Sequence, residues 1–196
     1  MKKLLFKVLL VVIAVGFTNM AGIAQSKLTS KNVSIEISGT STLHDWTMKG
    51  SGGICTADYS FDGTGKMTGI QNMTFSVPVN LLKSGKGAMD KNAYKALKTD
   101  KNPNIMAKFN LATILGTSNQ NYNANTSLAL TIAGKTLEVP LTANVKVTGN
   151  TITVTAEKSI DMKDWEVVPP SFMMGSVKTG KDVKVKVNFT LDNPIN

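Results

Sequence analysis

The chain has no arginine: all 22 of its basic residues are lysine. It has one cysteine and one histidine, and aromatic residues make up only 6%. Each scarcity excludes something. Cys55 has no partner, so an intramolecular disulfide is impossible. A Cys/His zinc site needs about four such ligands, and the chain has two; no metal or cofactor is expected. Nucleic-acid interfaces combine a basic patch with arginine forks or stacking aromatics, whereas these lysines are scattered, so no nucleic-acid partner is expected. Charged residues are also few, at 18% against 42% hydrophobic, which excludes an intrinsically disordered chain. The 196 residues suffice for one sizeable core and are too few for two ordinary domains.

The first 24 residues read as an address label. Lys2, Lys3 and Lys7 precede an apolar run from Leu4 to Phe17, and Gly22-Ile23-Ala24 places small residues at a cleavage site. Together these mark a secretory signal peptide, with a mature chain starting at Gln25. The run is shorter than the roughly 20 residues that span a bilayer. Removing it takes away three lysines and no acids, leaving +6 of the original +9. That balance reads as solubility, with transient attraction to anionic membrane surfaces as the minor alternative.

What the mature chain has in abundance is alternation. Val33, Ile35 and Ile37 alternate with polar neighbours, as do Met73, Phe75, Val77 and Val79. Leu128, Leu130 and Ile132 lead to the hairpin signal Gly134-Lys135, and Thr136–Val147 alternates for about twelve residues. Thr148-Gly149-Asn150 turns into Ile152, Val154 and Ala156, and Val183 to Leu191 closes the series. A period of two means one apolar face and one wet face, and such sheets must curl or pair to bury the apolar one. About eight strands of this kind predict an all-β fold, either an extended antiparallel barrel or a two-sheet sandwich. Sandwich strands run nearer five or six residues, so the long alternating run favours the barrel.

Two segments break the period. From Ala88 to Lys98, Met89, Ala93, Tyr94 and Leu97 recur at helical spacing, with Asp90 early and lysines late, as a helix dipole prefers. A short helix inserted in a barrel covers an opening or packs its stripe on the outside. Asp161–Gly180 reads as irregular and carries Trp165, Pro169-Pro170, Phe172 and Met173-Met174, which must bury themselves somewhere.

Chemistry is sparse. His44-Asp45-Trp46 is the most conspicuous polar cluster, but neighbours in a strand point to opposite faces, and no Gly-x-Ser-x-Gly elbow supplies a nucleophile. The expected role of His44 and Asp45 is to bond backbone at a strand start, with Trp46 in the core. Cys55 reads as a buried filler. Asp58–Gly63 reads as a polar turn without calcium-loop spacing. Nothing here supports an enzyme.

The order of segments does resemble a known family. Gly39-Thr-Ser-Thr-Leu-His44-Asp-Trp46 is followed by a strand with Phe75 and Val77, then by Leu82-Lys-Ser-Gly. Next come Met89-Asp-Lys-Asn-Ala-Tyr94-Lys-Ala-Leu97-Lys-Thr-Asp100 and Pro103-Asn-Ile105, and Val183–Phe189 ends the pattern. This resembles the YceI-like family over roughly residues 30 to 192. The resemblance implies an eight-stranded lipocalin-like barrel whose apolar interior holds a polyisoprenoid or fatty-acid derivative, in the periplasm or outside the cell. Many members carry a histidine in the helix motif where this chain has Asn92, so the apolar channel is implied and a particular head-group contact is not. Alternation and family order together nominate Phe75, Val77, Leu82, Met89, Tyr94, Leu97, Phe109 and Phe172 as wall residues. His44 and Trp46 are placed at an entrance, and the Tyr94 hydroxyl is the candidate for a polar head. The rival is a non-enzymatic envelope interaction module with a filled sandwich core.

Overall fold

The computed structural model describes residues 24–193. The leader read over Met1–Ala24 lies outside them, save for Ala24, which opens the first strand. In chain order the elements are β1 (Ala24–Ser41), β2 (Trp46–Phe61), β3 (Met67–Pro78), α1 (Gly87–Ala96), β4 (Asn104–Gly116), β5 (Asn121–Ile132), β6 (Lys135–Thr148), β7 (Thr151–Asp161), β8 (Ser171–Phe172) and β9 (Val177–Asp192). Three short 3-10 turns lie at Val79–Leu81, Met162–Trp165 and Met173–Gly175.

Neighbouring strands pair antiparallel from β1 to β7, β7 pairs with β9, and β9 returns to β1. The sheet therefore closes into an eight-stranded barrel, not a sandwich, with the two-residue β8 attached to β9. Closure gives each of the eight strands a partner on both sides along part of its length and puts every apolar face on one interior. The long alternating segment forms β6, whose 14 residues extend about 46 Å at about 3.3 Å each. Its hairpin turns at Ala133 and Gly134, which have φ of 51° and 88°; a two-residue turn with both residues left-handed matches the twist of the strands it joins.

Two expectations need correction. Asp58–Gly63 is not a turn up to Phe61: β2 continues, and Tyr59 and Phe61 are buried in it. The turn is Asp62–Gly65, where the Asp62 carboxylate accepts from the Thr64 amide at 2.9 Å and the Lys66 amide at 3.1 Å. The stretch 161–180 is less irregular than its composition suggests. It contains the 3-10 turn that buries Trp165, the short strand β8, and the beginning of β9 at Val177.

Topology gives the barrel two different ends. One carries the β1–β2 loop, α1 and the 162–176 segment. The other carries only the 62–66, 117–120 and 149–150 turns with the outer ends of β1 and β9. At this second end Phe61, Met67, Ile152 and Leu191 are buried together with Tyr122, whose hydroxyl accepts from the Met67 amide at 3.3 Å and donates to Gln120 at 2.6 Å. That end is packed shut.

Candidate functional site

Above the packed end the inner faces of the strands enclose a cavity of about 480 Å³, within the 300–1,000 Å³ range of small-molecule sites. Its emptiness has a local cause. Ala124 on β5 stands opposite Ala143 on β6, which stands opposite Ala156 on β7, and all three point inward. Three methyl groups side by side cannot reach across the barrel, so a level that a leucine or phenylalanine would fill stays open. Ala107 and Ala112 on β4 extend the thin wall. Most of the remaining wall is apolar, including Phe75, Phe109, Val154 and Val187.

The helix roofs part of the open end. Met89, Ala93, Ala96 and Leu97 face the cavity, and polar residues on either side tie α1 to the preceding loop. Asp90 accepts from the Ser84 amide at 2.8 Å and the Ser84 hydroxyl at 2.6 Å. These bonds hold its carboxyl below the ordinary carboxylate range, the hydroxyl contributing most. The Tyr94 hydroxyl donates to the Leu82 carbonyl at 2.7 Å and accepts from Lys83 Nζ at 2.8 Å. A covering element with one apolar stripe is thus pinned by two side chains that do not line the cavity.

Around the rest of the mouth lie Leu43, His44, Trp46, Lys86 and Phe172. Trp46 donates its indole N–H to the Thr40 carbonyl at 3.0 Å, and its ring lies across Gly39, 2.5 Å from where a Cβ would stand. His44 Nδ1 lies 2.8 Å from the Asp45 backbone oxygen, so histidine and carboxylate do not form a catalytic pair through that nitrogen. No group of three or more His, Cys, Asp or Glu among the described residues could hold a metal.

A comparison with protein families matches the YceI-like domain over residues 24–191. The chain belongs to the YceI-like family. Solved structures agree on the fold at low identity. A polyisoprenoid binding domain from Saccharophagus degradans, implicated in plant cell wall breakdown, superposes with a TM-score of 0.61 at 12% identity, covering 88% of this chain and 100% of that one. Burkholderia cenocepacia BcnA gives 0.53 at 16%, covering 80% and 95%, and a Campylobacter jejuni YceI protein gives 0.52 at 13%, covering 70% and 80%. A search of curated proteins finds no match.

Within this YceI-like barrel most of the nominated residues meet on one surface: Phe75, Leu82, Met89, Leu97 and Phe109 on the wall, and Phe172, His44 and Trp46 at the mouth. Two do not. Val77 is fully buried but packs over Gly53, where it and Val33 crowd the space a side chain would take. Tyr94 has its hydroxyl engaged by Leu82, Asn80 and Lys83, so that group serves the helix and not a ligand head. Alternation alone missed the alanine band, since an alanine in the inward phase reads as ordinary core. It also missed Lys158, which continues the inward series Val154, Ala156, Lys158, Ile160; a lysine in that phase was the available signal.

Cys55 and Tyr59 both face the cavity from β2. Burial pushes the thiol up to about 12, and burial chiefly, with the neighbouring thiol second, raises the Tyr59 phenol further. The unfolded thiol ionises near about 8.5. Between these values the unfolded state binds fewer protons, so stability falls as pH rises, by about 1.4 kcal/mol per pH unit for this group. Cys55 is expected to resist iodoacetamide at pH 8 until the protein is denatured. Urea unfolding from pH 8 to 11 is expected to show a steeper loss of stability in the wild type than in Cys55→Ala; parallel curves would contradict the assignment.

Proposed function

We propose that the mature chain is a secreted or periplasmic binding protein that holds a long-chain isoprenoid or fatty-acid-like lipid in the barrel and does not transform it. The observation that carries this reading is a tube closed at one end by packed side chains, roofed at the other by a helix, and kept hollow by inward alanines. An apolar chain entering it leaves water along most of its length. At about 0.8 kcal/mol per methylene, a chain of about 15 carbons gains about 12 kcal/mol before ordering costs of several kcal/mol are subtracted. Affinity of this kind needs no elaborate polar site, which accords with the scarcity of chemical motifs. The structural relative described as a polyisoprenoid binding domain supports the isoprenoid class, and the lysine-led apolar leader supports export.

Native mass spectrometry of protein purified from its own envelope, followed by organic extraction, tests the reading. A stoichiometric long-chain lipid released on unfolding is the expected result. A bare polypeptide that also fails to take up added isoprenoids and fatty acids would overturn it and return the protein to the class of structural modules.

A further inference from the structure

The barrel wall is not sealed along its length. β5 and β6 pair throughout, from Asn121 with Lys146 to Ile132 with Lys135, and β7 pairs with β9 from Thr151 to Asp161. Between β6 and β7, however, pairing stops at Ala143 with Ala156. Beyond that point the two strands part, until the segment holding Trp165 fills the far end, with its indole N–H donating to the Leu130 carbonyl at 3.0 Å. Pro140 lies on the free stretch of β6, three residues past the last pair. In a strand the N–H and C=O of one residue point to the same side. The Pro140 carbonyl accepts from Lys158 Nζ of β7 at 2.8 Å, so the N–H that proline lacks is missing on the β7 side. The ladder cannot continue there without losing a bond.

Outside this slit is a second recess of about 400 Å³, lined by Asn125, Thr142 and Pro140 among others. Thr126, Leu141, Glu157 and Lys158 line both that recess and the apolar cavity. The two spaces therefore meet at the slit, the outer one half polar in its lining and the inner one almost wholly apolar. Lys158 is the charged group between them: it sits in the inward phase, with Ala156 and Ile160 on either side facing the tube, and its ammonium reaches across the opening. The neighbouring acid, Glu157, is already paired with Lys184 at 3.2 Å.

Resting on the binding reading above, we infer that the slit between β6 and β7 seats the head of the bound lipid, and that the head is anionic, a carboxylate or phosphate held by Lys158. An amphiphile placed this way keeps its chain in the tube and its head in the outer recess, and the Lys158 ammonium exchanges a carbonyl acceptor for a charged one, a stronger hydrogen bond.

Binding of hexadecanoate and of hexadecan-1-ol to the full mature protein separates head from chain. Lys158→Gln keeps an N–H donor for Pro140 and removes the charge. It is expected to weaken hexadecanoate about tenfold, the loss of one charge-assisted contact, with the alcohol unchanged, whereas Lys108→Gln, exposed on the outer face of β4, alters neither. Equal binding of hexadecanoate by Lys158→Gln and wild type would place the head elsewhere, and equal weakening of acid and alcohol would make Lys158 a wall residue; either overturns the inference and leaves the cavity reading intact. Wild type that binds neither chain overturns the inference, and uptake of an added isoprenoid by the same protein would leave the cavity reading standing. Should Lys158→Gln fail to fold, nuclear Overhauser contacts in the wild type decide the matter. The C2 protons of bound hexadecanoate must then fall on Leu141 and Thr142; contacts on Leu43 and Ala88 would put the head at the mouth.

Discussion

Ala143→Trp is expected to weaken long-chain binding about a hundredfold while leaving the barrel folded. Ala143 is the middle of the alanine band, with Ala124 and Ala156 directly opposite on its two neighbours. An indole there projects into space that is empty, so it meets little of the overpacking strain that enlarged core residues normally suffer. It would divide the tube at that level. Excluding about four methylenes removes about 3 kcal/mol, or about a hundredfold in affinity. Titration with a fluorescent fatty acid, alongside a thermal melt, checks both halves. Undiminished affinity in a cooperatively melting variant would show that the chain does not pass the band.

Phe61→Ala carries the largest expected effect on stability. Phe61 is fully buried at the packed end, next to Met67, which is its partner across the β2–β3 pair. No cavity lies beside it to be enlarged at low cost, and β1 begins against it, with Ala24 as its partner. Removing a phenyl ring from such a site costs about 3–5 kcal/mol, and for a domain of this size the melting temperature is expected to fall by roughly 10 °C. Phe109→Ala makes the comparison informative. Phe109 already borders the cavity, so its removal widens an existing space and is expected to cost less. Equal losses at the two positions would mean that the two ends of the barrel are packed alike.

Much of this architecture was legible from residue order. The alternation of Thr136–Val147 corresponds to β6, and the helical spacing of Met89, Ala93 and Leu97 corresponds to the cavity face of α1. Legibility failed where the period slipped. In β4, Ile105, Ala107 and Phe109 face inward at a step of two, but the next inward residue is Ala112, because the β4–β5 register shifts between Lys108 and Thr113. The bulge reverses which face each later residue takes, and it leaves Leu111 and Leu115 exposed. The extra residue lies on β4, which advances five residues from Lys108 to Thr113 while β5 runs four from Ala129 to Asn125. An offset between two strands is not visible in the alternation of either one.

The site divided along the same line. Phe75 and Val77 share one phase of one strand, yet Phe75 borders the tube and Val77 packs over Gly53. Tyr94 lies on a helix whose stripe faces the cavity, but the carbonyls of the 80–82 loop capture its hydroxyl. A period of two, long strands and one short amphipathic helix are properties of neighbouring residues, and they were sufficient to specify a one-faced antiparallel sheet that must close on itself. What stands opposite a side chain is a property of pairing between distant segments. Phe61 meets Met67 and fills the barrel; Ala143 meets Ala124 and Ala156 and leaves it hollow. Pairing between β6 and β7 stops at Ala143 and opens the wall beside Lys158. Alternation tells which way a residue points, whereas the volume left in front of it depends on the strands across the barrel, and only the closed structure brings those together.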